Sequence, residues 1–257
     1  MGVKIGNLDI DSFKVGSASC KVCLGDVQIY PQSHDYSQDY LTFVALEDGT
    51  FSFSGRATTT ANTLEYSVDS GSTWSTLQNG GTTPTVTSGN TILWKASGLI
   101  IGTGIGQFLS TGQFEVEGNI MSLHFGDNFS GQTTIQNNYQ FRKLFSGVTT
   151  ITSAENMVLP ATTLKQQCYS QMFQGCTNLV KTPKTIGSSA MTWSGDYCWS
   201  DMFHGCTSLV NAPQLPATTL GTQCYWFMFQ DCTSLETAPV LPAITLNHQC
   251  YQGMLVF

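Results

Sequence analysis

Residues 159–184 read LPATTLKQQCYSQMFQGCTNLVKTPK, and this stretch decides the fold because it comes back three more times. The second copy is TIGSSAMTWSGDYCWSDMFHGCTSLVNAPQ, residues 185–214. The third is LPATTLGTQCYWFMFQDCTSLETAPV, residues 215–240, and the fourth is LPAITLNHQCYQGMLVF, residues 241–257. Met172, Met202, Met228 and Met254 are spaced 30, 26 and 26 residues apart, and Cys168, Cys198, Cys224 and Cys250 keep the same spacing. The four extra residues of the second copy all fall between Pro183 and Cys198. A fainter copy precedes them: Phe141, Leu144, Phe145, Gly147 and Ile151 match Tyr169, Met172, Phe173, Gly175 and Leu179, with Val148 in place of Cys176. Self-similarity at a fixed period marks a stacked repeat. Terminal units of such stacks are usually degenerate, so residues 141–158 are expected to form its N-terminal cap.

Within one unit the apolar residues Cys168, Tyr169, Met172, Phe173 and Cys176 fall at i, i+1, i+4, i+5 and i+8. That spacing predicts one face of a short helix of about two turns. Residues 177–183 then predict a brief extended segment ended by Pro183, and Leu-Pro-Ala-Thr-Thr-Leu a second one, since the residue before proline avoids the helical region. One unit cannot bury its own apolar face, whereas stacked units can.

Upstream the apolar period changes to 2. Residues 41–46, 50–53, 64–68, 91–96 and 113–117 read as strands separated by Gly, Asp, Asn and Ser clusters, which fits an antiparallel sandwich. Residues 1–40 end in a predicted hairpin, Cys20–Leu24 and Val27–Pro31 around Gly25-Asp26. The expected architecture is therefore mainly β. It comprises an N-terminal anchor segment with a β-hairpin over 1–40, a β-sandwich over 41–140, and a repeat solenoid with short helices over 141–257.

Charge narrows the function. Of 257 residues only 11 % are charged, against about 25 % in an average soluble domain. Residues 1–40 hold three basic and five acidic side chains, 41–140 two and seven, and 141–257 five and five, for a net charge of −7. No segment has the basic footprint that phosphate binding needs, so nucleic acid and anionic membrane are poor partners. The apolar stretches fall far short of the 18 or so residues of a membrane span. Met1–Gly6 shows neither the basic nor the apolar region of a secretory signal, and Gly6 argues against myristoylation. The expectation is a chain that stays where it is made or leaves by another route.

No constellation for chemistry emerges. Ser67-Val-Asp69-Ser-Gly71-Ser-Thr73-Trp74 matches the Asp-box of sialidases, which is there a hairpin turn; Asp and Gly have the turn chemistry for it. A sialidase also needs several arginines, and the chain has Arg56 and Arg142. Glu115 and Glu117 share one strand face, as paired glycosidase carboxylates can, but a solvated strand face looks the same and is commoner. Of nine cysteines, seven sit at repeat positions, which favours a buried ladder of free thiols over a Cys168–Cys176 disulfide. Cys20 and Cys23 form a C-x-x-C within a strand rather than at a helix N-terminus, so a redox role is not expected. The eight-residue cysteine spacing is no zinc signature. His204 and His248 occupy variable polar positions that point to solvent, while His34 and His124 lie near no nucleophile motif. We expect no catalytic residues, no metal and no cofactor. One pair departs from the repeat: Trp226-Phe227 stand where other units carry Ser170-Gln171, Ser200-Asp201 and Gln252-Gly253. They form the candidate contact patch.

The repeat LPATTLxxxCYxxMFxGCTSLxxAPxLPATTL resembles the BspA-like leucine-rich repeats of gut Bacteroidetes and their phages, over residues 141–257. Residues 13–31 are similar to the leader of modular virion proteins of such phages. The resemblance implies non-enzymatic surface display: a fibre or decoration protein of a virion, assembled in the host cytoplasm. Residues 1–40 would hold other virion proteins, and the solenoid would meet a host-surface protein or glycan. A homo-oligomer is expected: the fourth unit ends at Met254-Leu255-Val256-Phe257 without its extended half, an apolar end that a symmetry-related chain, a virion neighbour or the tail folding back would cover. The alternatives are a bacterial cell-surface adhesin and a carbohydrate-active enzyme built on the sandwich.

Overall fold

The computed structural model describes residues 34–54, 63–78, 80–97 and 106–256, together with the backbone of five short strands before residue 31. The chain divides into two compact units, Met1–Asp35 and Tyr36–Phe257. In the first, β1 (Val3–Ile5) pairs antiparallel with β2 (Leu8–Ile10). A three-stranded antiparallel sheet follows, of β3 (Ser12–Val15), β4 (Cys20–Leu24) and β5 (Val27–Tyr30). Strands β4 and β5 are the expected hairpin, with Leu24 opposite Val27. Its Gly25-Asp26 turn, Arg56 and the side chains of Cys20 and Cys23 lie outside the described residues.

The second unit opens with two facing sheets. Its strands are β6 (Leu41–Ala45), β7 (Phe51–Ser54), β8 (Leu64–Ser67), β9 (Ser75–Thr76), β10 (Thr91–Ala96), β11 (Gln107–Ser110), β12 (Phe114–Asn119) and β13 (Ile151–Val158). The larger sheet has the order β13-β12-β6-β10-β8-β9, and β11-β7 form the smaller one. Period-2 patterning does what it should. Ile92, Trp94 and Ala96 of β10 point inward, as do Phe114 and Val116 of β12. Phe43 sits at the centre, with ring centroids 5.3 Å from Phe51, 5.4 Å from Trp94 and 4.9 Å from Phe108 and Phe114. Aromatic pairs at such distances add to what area burial alone supplies. Gly118, at φ +80°, lets β12 pass so close to Tyr40 that a Cβ there would clash with the Tyr40 carbonyl oxygen.

The expected division near residue 140 falls inside this unit. Strand β13 pairs parallel with β12, extending the larger sheet into the repeats, and single bridges carry the line on through Ser153, Lys181, Asn211 and Thr237. Beyond the sandwich-like sheets, five coils stack at residues 139–147, 167–175, 197–205, 223–231 and 249–255.

Here the expected short helix is overturned. Each coil is a run of consecutive hydrogen-bonded turns. Ser170 N–H bonds Gln167 C=O, Met172 bonds Tyr169 and Gln174 bonds Gln171, always three residues back. Every fourth residue is left-handed: Gln167 (φ 52°), Gln171 (59°) and Gly175 (73°) in the second coil, Tyr197 (59°), Asp201 (53°) and Gly205 (74°) in the third. A right-handed helix cannot hold such residues. Instead the alternate N–H groups swing out to the next coil. Tyr169 N–H bonds Cys198 C=O, Gln171 bonds Ser200 and Phe173 bonds Met202. The pattern recurs at all four junctions, five bonds each, at 2.6–3.1 Å. A left-handed non-glycine residue costs about 1 kcal/mol. The inter-coil bonds contribute about 1 kcal/mol each, and the buried stack adds to them.

The repeat residues fill the stack. Phe145, Phe173, Phe203 and Phe229 lie face to face, with centroids 5.3–5.6 Å apart and planes within 10°. A second column runs Phe141–Tyr169, then Trp199–Tyr225–Tyr251. All seven repeat cysteines are free and buried. Cys176, Cys206 and Cys232 each donate Sγ–H to a carbonyl one coil back, on Phe145, Phe173 and Phe203, at 3.0–3.1 Å. The first coil is preceded by β11 rather than by another coil. That accounts for Val148 where later coils have cysteine. The sandwich closes this end: Phe108 N–H bonds Leu144 C=O at 2.9 Å, and the Gln107 side-chain amide bonds Ser146 C=O.

Phe203→Ala removes a ring from the middle of the column and should destabilise the protein by about 3–5 kcal/mol. Urea unfolding followed by tryptophan fluorescence checks this. A loss under about 1 kcal/mol would contradict the packing described.

Candidate functional surfaces

The Asp-box motif forms a hydrogen-bonded turn. Ser67 Oγ and Thr73 N–H donate to Asp69 Oδ1 at 2.7 and 2.9 Å, and Thr73 Oγ donates to Oδ2 at 2.6 Å. Gly71 N–H closes the loop onto Ser67 Oγ at 2.9 Å. Trp74 then reaches back to Tyr40, with ring centroids 5.0 Å apart, and Lys95 Nζ lies 4.2 Å from the Trp74 ring centroid. The Thr73 hydrogen bonds, then that of Ser67, hold the Asp69 carboxyl down at about 2, from an ordinary 3.8.

The other chemistry-bearing residues are dispersed. Glu115 and Glu117 alternate along β12 on its half-buried outer face. His124 is buried in α1 (Ser122–Phe125), with Nε2 3.1 Å from Gln136 Oε1. His204 is part-buried rather than solvated: its Nε2 lies 3.2 Å from Asp231 and its Nδ1 3.5 Å from Asp201. Burial raises the Asp201 carboxyl, against the pull of His204. His248 is exposed. Burial pushes the Cys176 and Cys232 thiols up to about 12, so neither is a thiolate at neutral pH. Among the described residues no cluster of three His, Cys, Asp or Glu could hold a metal ion. Nor is any described helix long and apolar enough to cross a membrane.

Trp226 and Phe227 are half-buried. Phe227 is a left-handed residue (φ 52°), and its ring lies across the next coil at Gly253, where an added Cβ would clash with it. Trp226 packs edge-on to Tyr197 at 5.9 Å, and its Nε1–H has no partner among the described residues. The pair therefore divides its surface between the neighbouring coils and solvent.

A larger surface feature runs along the proline corner of the coils. One depression of about 500 Å³ is lined by Glu155, Lys181, Lys184, Asn211 and Gln214. A second, of about 420 Å³, is lined by Leu215, Pro216, Pro239, Val240 and Pro242. They meet at Ala212, Pro213 and Gln214. The trough is polar at one end, where Lys181 Nζ pairs with Glu155 at 2.7 Å and Lys184 Nζ bonds Asn156 Oδ1 at 3.2 Å. It is apolar at the other. The Lys181 hydrogen bond lowers the Glu155 carboxyl and that of Glu155 raises the Lys181 amine, so both are charged at neutral pH. Sequence reasoning missed this trough, though the signal was present. Positions 181, 211 and 237 are Lys, Asn and Thr, and positions 184, 214 and 240 are Lys, Gln and Val. Both sets flank the unchanging Pro183, Pro213 and Pro239.

Comparison with protein-family models, with curated proteins and with solved structures finds no match.

Two outcomes test these assignments. Replacing Trp226 with Ser and Phe227 with Gln should cost about 2 kcal/mol, since each ring is half-buried; a shift within about 0.5 kcal/mol in urea unfolding would mean they pack on nothing. The Asp69 carboxyl should titrate near pH 2 by carboxyl-carbon NMR. Its folded value is depressed, so its contribution is full above the ordinary 3.8 and is lost as pH falls through about 2. A midpoint near 3.8 would show the turn bonds are not formed.

Proposed function

We propose that this chain is a non-enzymatic display protein of a bacteriophage virion, a fibre or decoration type. In this reading its coil stack is a BspA-like leucine-rich-repeat solenoid. Residues 1–40 attach to other virion proteins, and the solenoid binds a protein or glycan of the host surface. The observation that supports it best is the trough across the proline corner. It runs across successive repeats, its polar end lined by positions that differ between them (Lys181, Lys184, Asn211 and Gln214) and its apolar end by the repeated prolines, on a scaffold fixed by backbone bonds. Such a surface suits an extended polymer: charged and amide groups at one end fix its orientation, and prolines with no N–H to satisfy contact it at the other. The trough residues are side chains on a rigid frame, so they can vary without loss of fold.

The test has two arms. Antibody against the protein should label purified phage particles; labelling of bacterial envelopes with none on particles would favour the adhesin reading. Full-length protein should bind host cells, and Lys184→Glu with Asn211→Ala should weaken that binding about tenfold, the loss of one or two buried polar contacts. Unchanged binding by a folded double variant would overturn the trough as the contact surface.

A further inference from the structure

The polar end of the trough holds a surplus of positive charge. Its charged lining residues are Glu155, Lys181 and Lys184, one acid against two bases. Lys181 Nζ pairs with Glu155 at 2.7 Å. Lys184 Nζ bonds the Asn156 amide oxygen at 3.2 Å, and no carboxylate pairs with it among the described residues. It acts on Glu155 only from farther away, so the two lysines share one carboxylate. Glu115 acts on Lys181 at a distance and lines neither depression.

The same end holds more open donors than acceptors. Gln214 Oε1 accepts from Thr185 Oγ1, and Asn211 Oδ1 accepts from Thr237 Oγ1, each at 3.4 Å. The NH2 groups of both amides, two donors apiece, have no partner among the described residues. The backbone does not balance them. The carbonyls of Lys181, Lys184 and Gln214 already accept from the N–H groups of Ala154, Gln214 and Ile186. Pro213, beside these groups, adds an apolar face.

We propose that the trough takes an acidic glycan, with a sugar-ring carboxylate held by Lys184, Asn211 and Gln214 and the ring lying on Pro213. The inference rests on the trough being the contact surface, as proposed above, and names its ligand. Charge complementarity selects the carboxylate, and the open NH2 groups select a ligand rich in acceptors. An acidic peptide also carries carboxylates, but every residue of it brings a backbone N–H, and the polar end has no open backbone acceptor for it. Sugar hydroxyls accept as readily as they donate. A depression of about 500 Å³ has room for a sugar ring with its carboxylate. The glycan chain then continues over Pro216 and Pro239 into the apolar depression. Uronic and sialic acids share this chemistry, and the experiment separates them.

The probes are oligogalacturonate, its methyl ester, sialyllactose, lactose and an oligoglutamate peptide, each titrated into the full-length protein at low salt. Binding is read by NMR from the side-chain NH2 resonances of Asn211 and Gln214. At least one of the two acidic sugars should shift them, and which one does so identifies the acid. The ester and lactose keep the rings without the carboxylate and should bind about tenfold more weakly, or less. Lys184→Met removes the charge from an exposed side chain; it should weaken the acidic sugar by a similar factor and leave the urea midpoint unchanged. Four results would overturn the proposal: no acidic sugar bound at millimolar concentration, the ester bound as tightly as the acid, the peptide bound more tightly than either sugar, or full affinity in Lys184→Met. If Lys184→Glu with Asn211→Ala loses host-cell binding while no acidic sugar binds, the ligand is wrong and the contact surface stands. If cell binding is also unchanged, both fall.

Discussion

The structure depends on one backbone device: a left-handed residue at every fourth position of a coil. It turns alternate N–H groups out of the coil and leaves the others bonded three residues back. The outward amides fix the coil spacing. That spacing stacks Phe145, Phe173, Phe203 and Phe229 at 5.3–5.6 Å and puts the Sγ of Cys176, Cys206 and Cys232 within reach of a carbonyl one coil back. Buried thiols of raised pKa are the consequence, and they act as weak donors rather than as nucleophiles. Core, column and thiol ladder are thus three readings of one hydrogen-bond pattern.

The same device shapes the surface. Inter-coil order is carried by backbone groups and a fixed set of inward side chains, so the flanks are free to differ. Lys181, Asn211 and Thr237 occupy one line of parallel bridges yet share no chemistry. The trough beside them is walled by Pro213, Pro216, Pro239 and Pro242 at its apolar end and by differing polar residues at the other. The sandwich contributes differently. Through β13 and the bonds to Leu144 and Ser146 it continues into the first coil and pairs two of its carbonyls.

Much of this was legible in the sequence. Strands β6, β7, β8, β10 and β12 follow from period-2 patterning, and the coil boundaries follow from the repeat itself. The helix expectation failed for a specific reason. Apolar pairs at 168/169 and 172/173, with Cys176 next, recur every four residues, close enough to 3.6 to read as a helix face. The residues that distinguish the two are the left-handed ones. Gly175 and Gly205 signal them, but Gln167, Tyr197 and Phe227 hold the same conformation and have no propensity for it. Strand β13 was hidden because its residues match the repeat only weakly. The Trp226-Phe227 pair was found by its departure from the repeat, but its contact with Gly253 depends on coil spacing, which no single unit reveals. The trough is a property of successive repeats together and becomes visible only when they are stacked.

The central claim is the direction of the outward amides, and NMR can see it without intermediaries. Scalar couplings across hydrogen bonds connect a donor nitrogen to its acceptor carbonyl carbon. The account predicts couplings from Tyr169 to Cys198, Gln171 to Ser200 and Phe173 to Met202. Couplings from Phe173 to Tyr169 and from Ser170 to Gln166, the four-residue pattern of a helix, would contradict it.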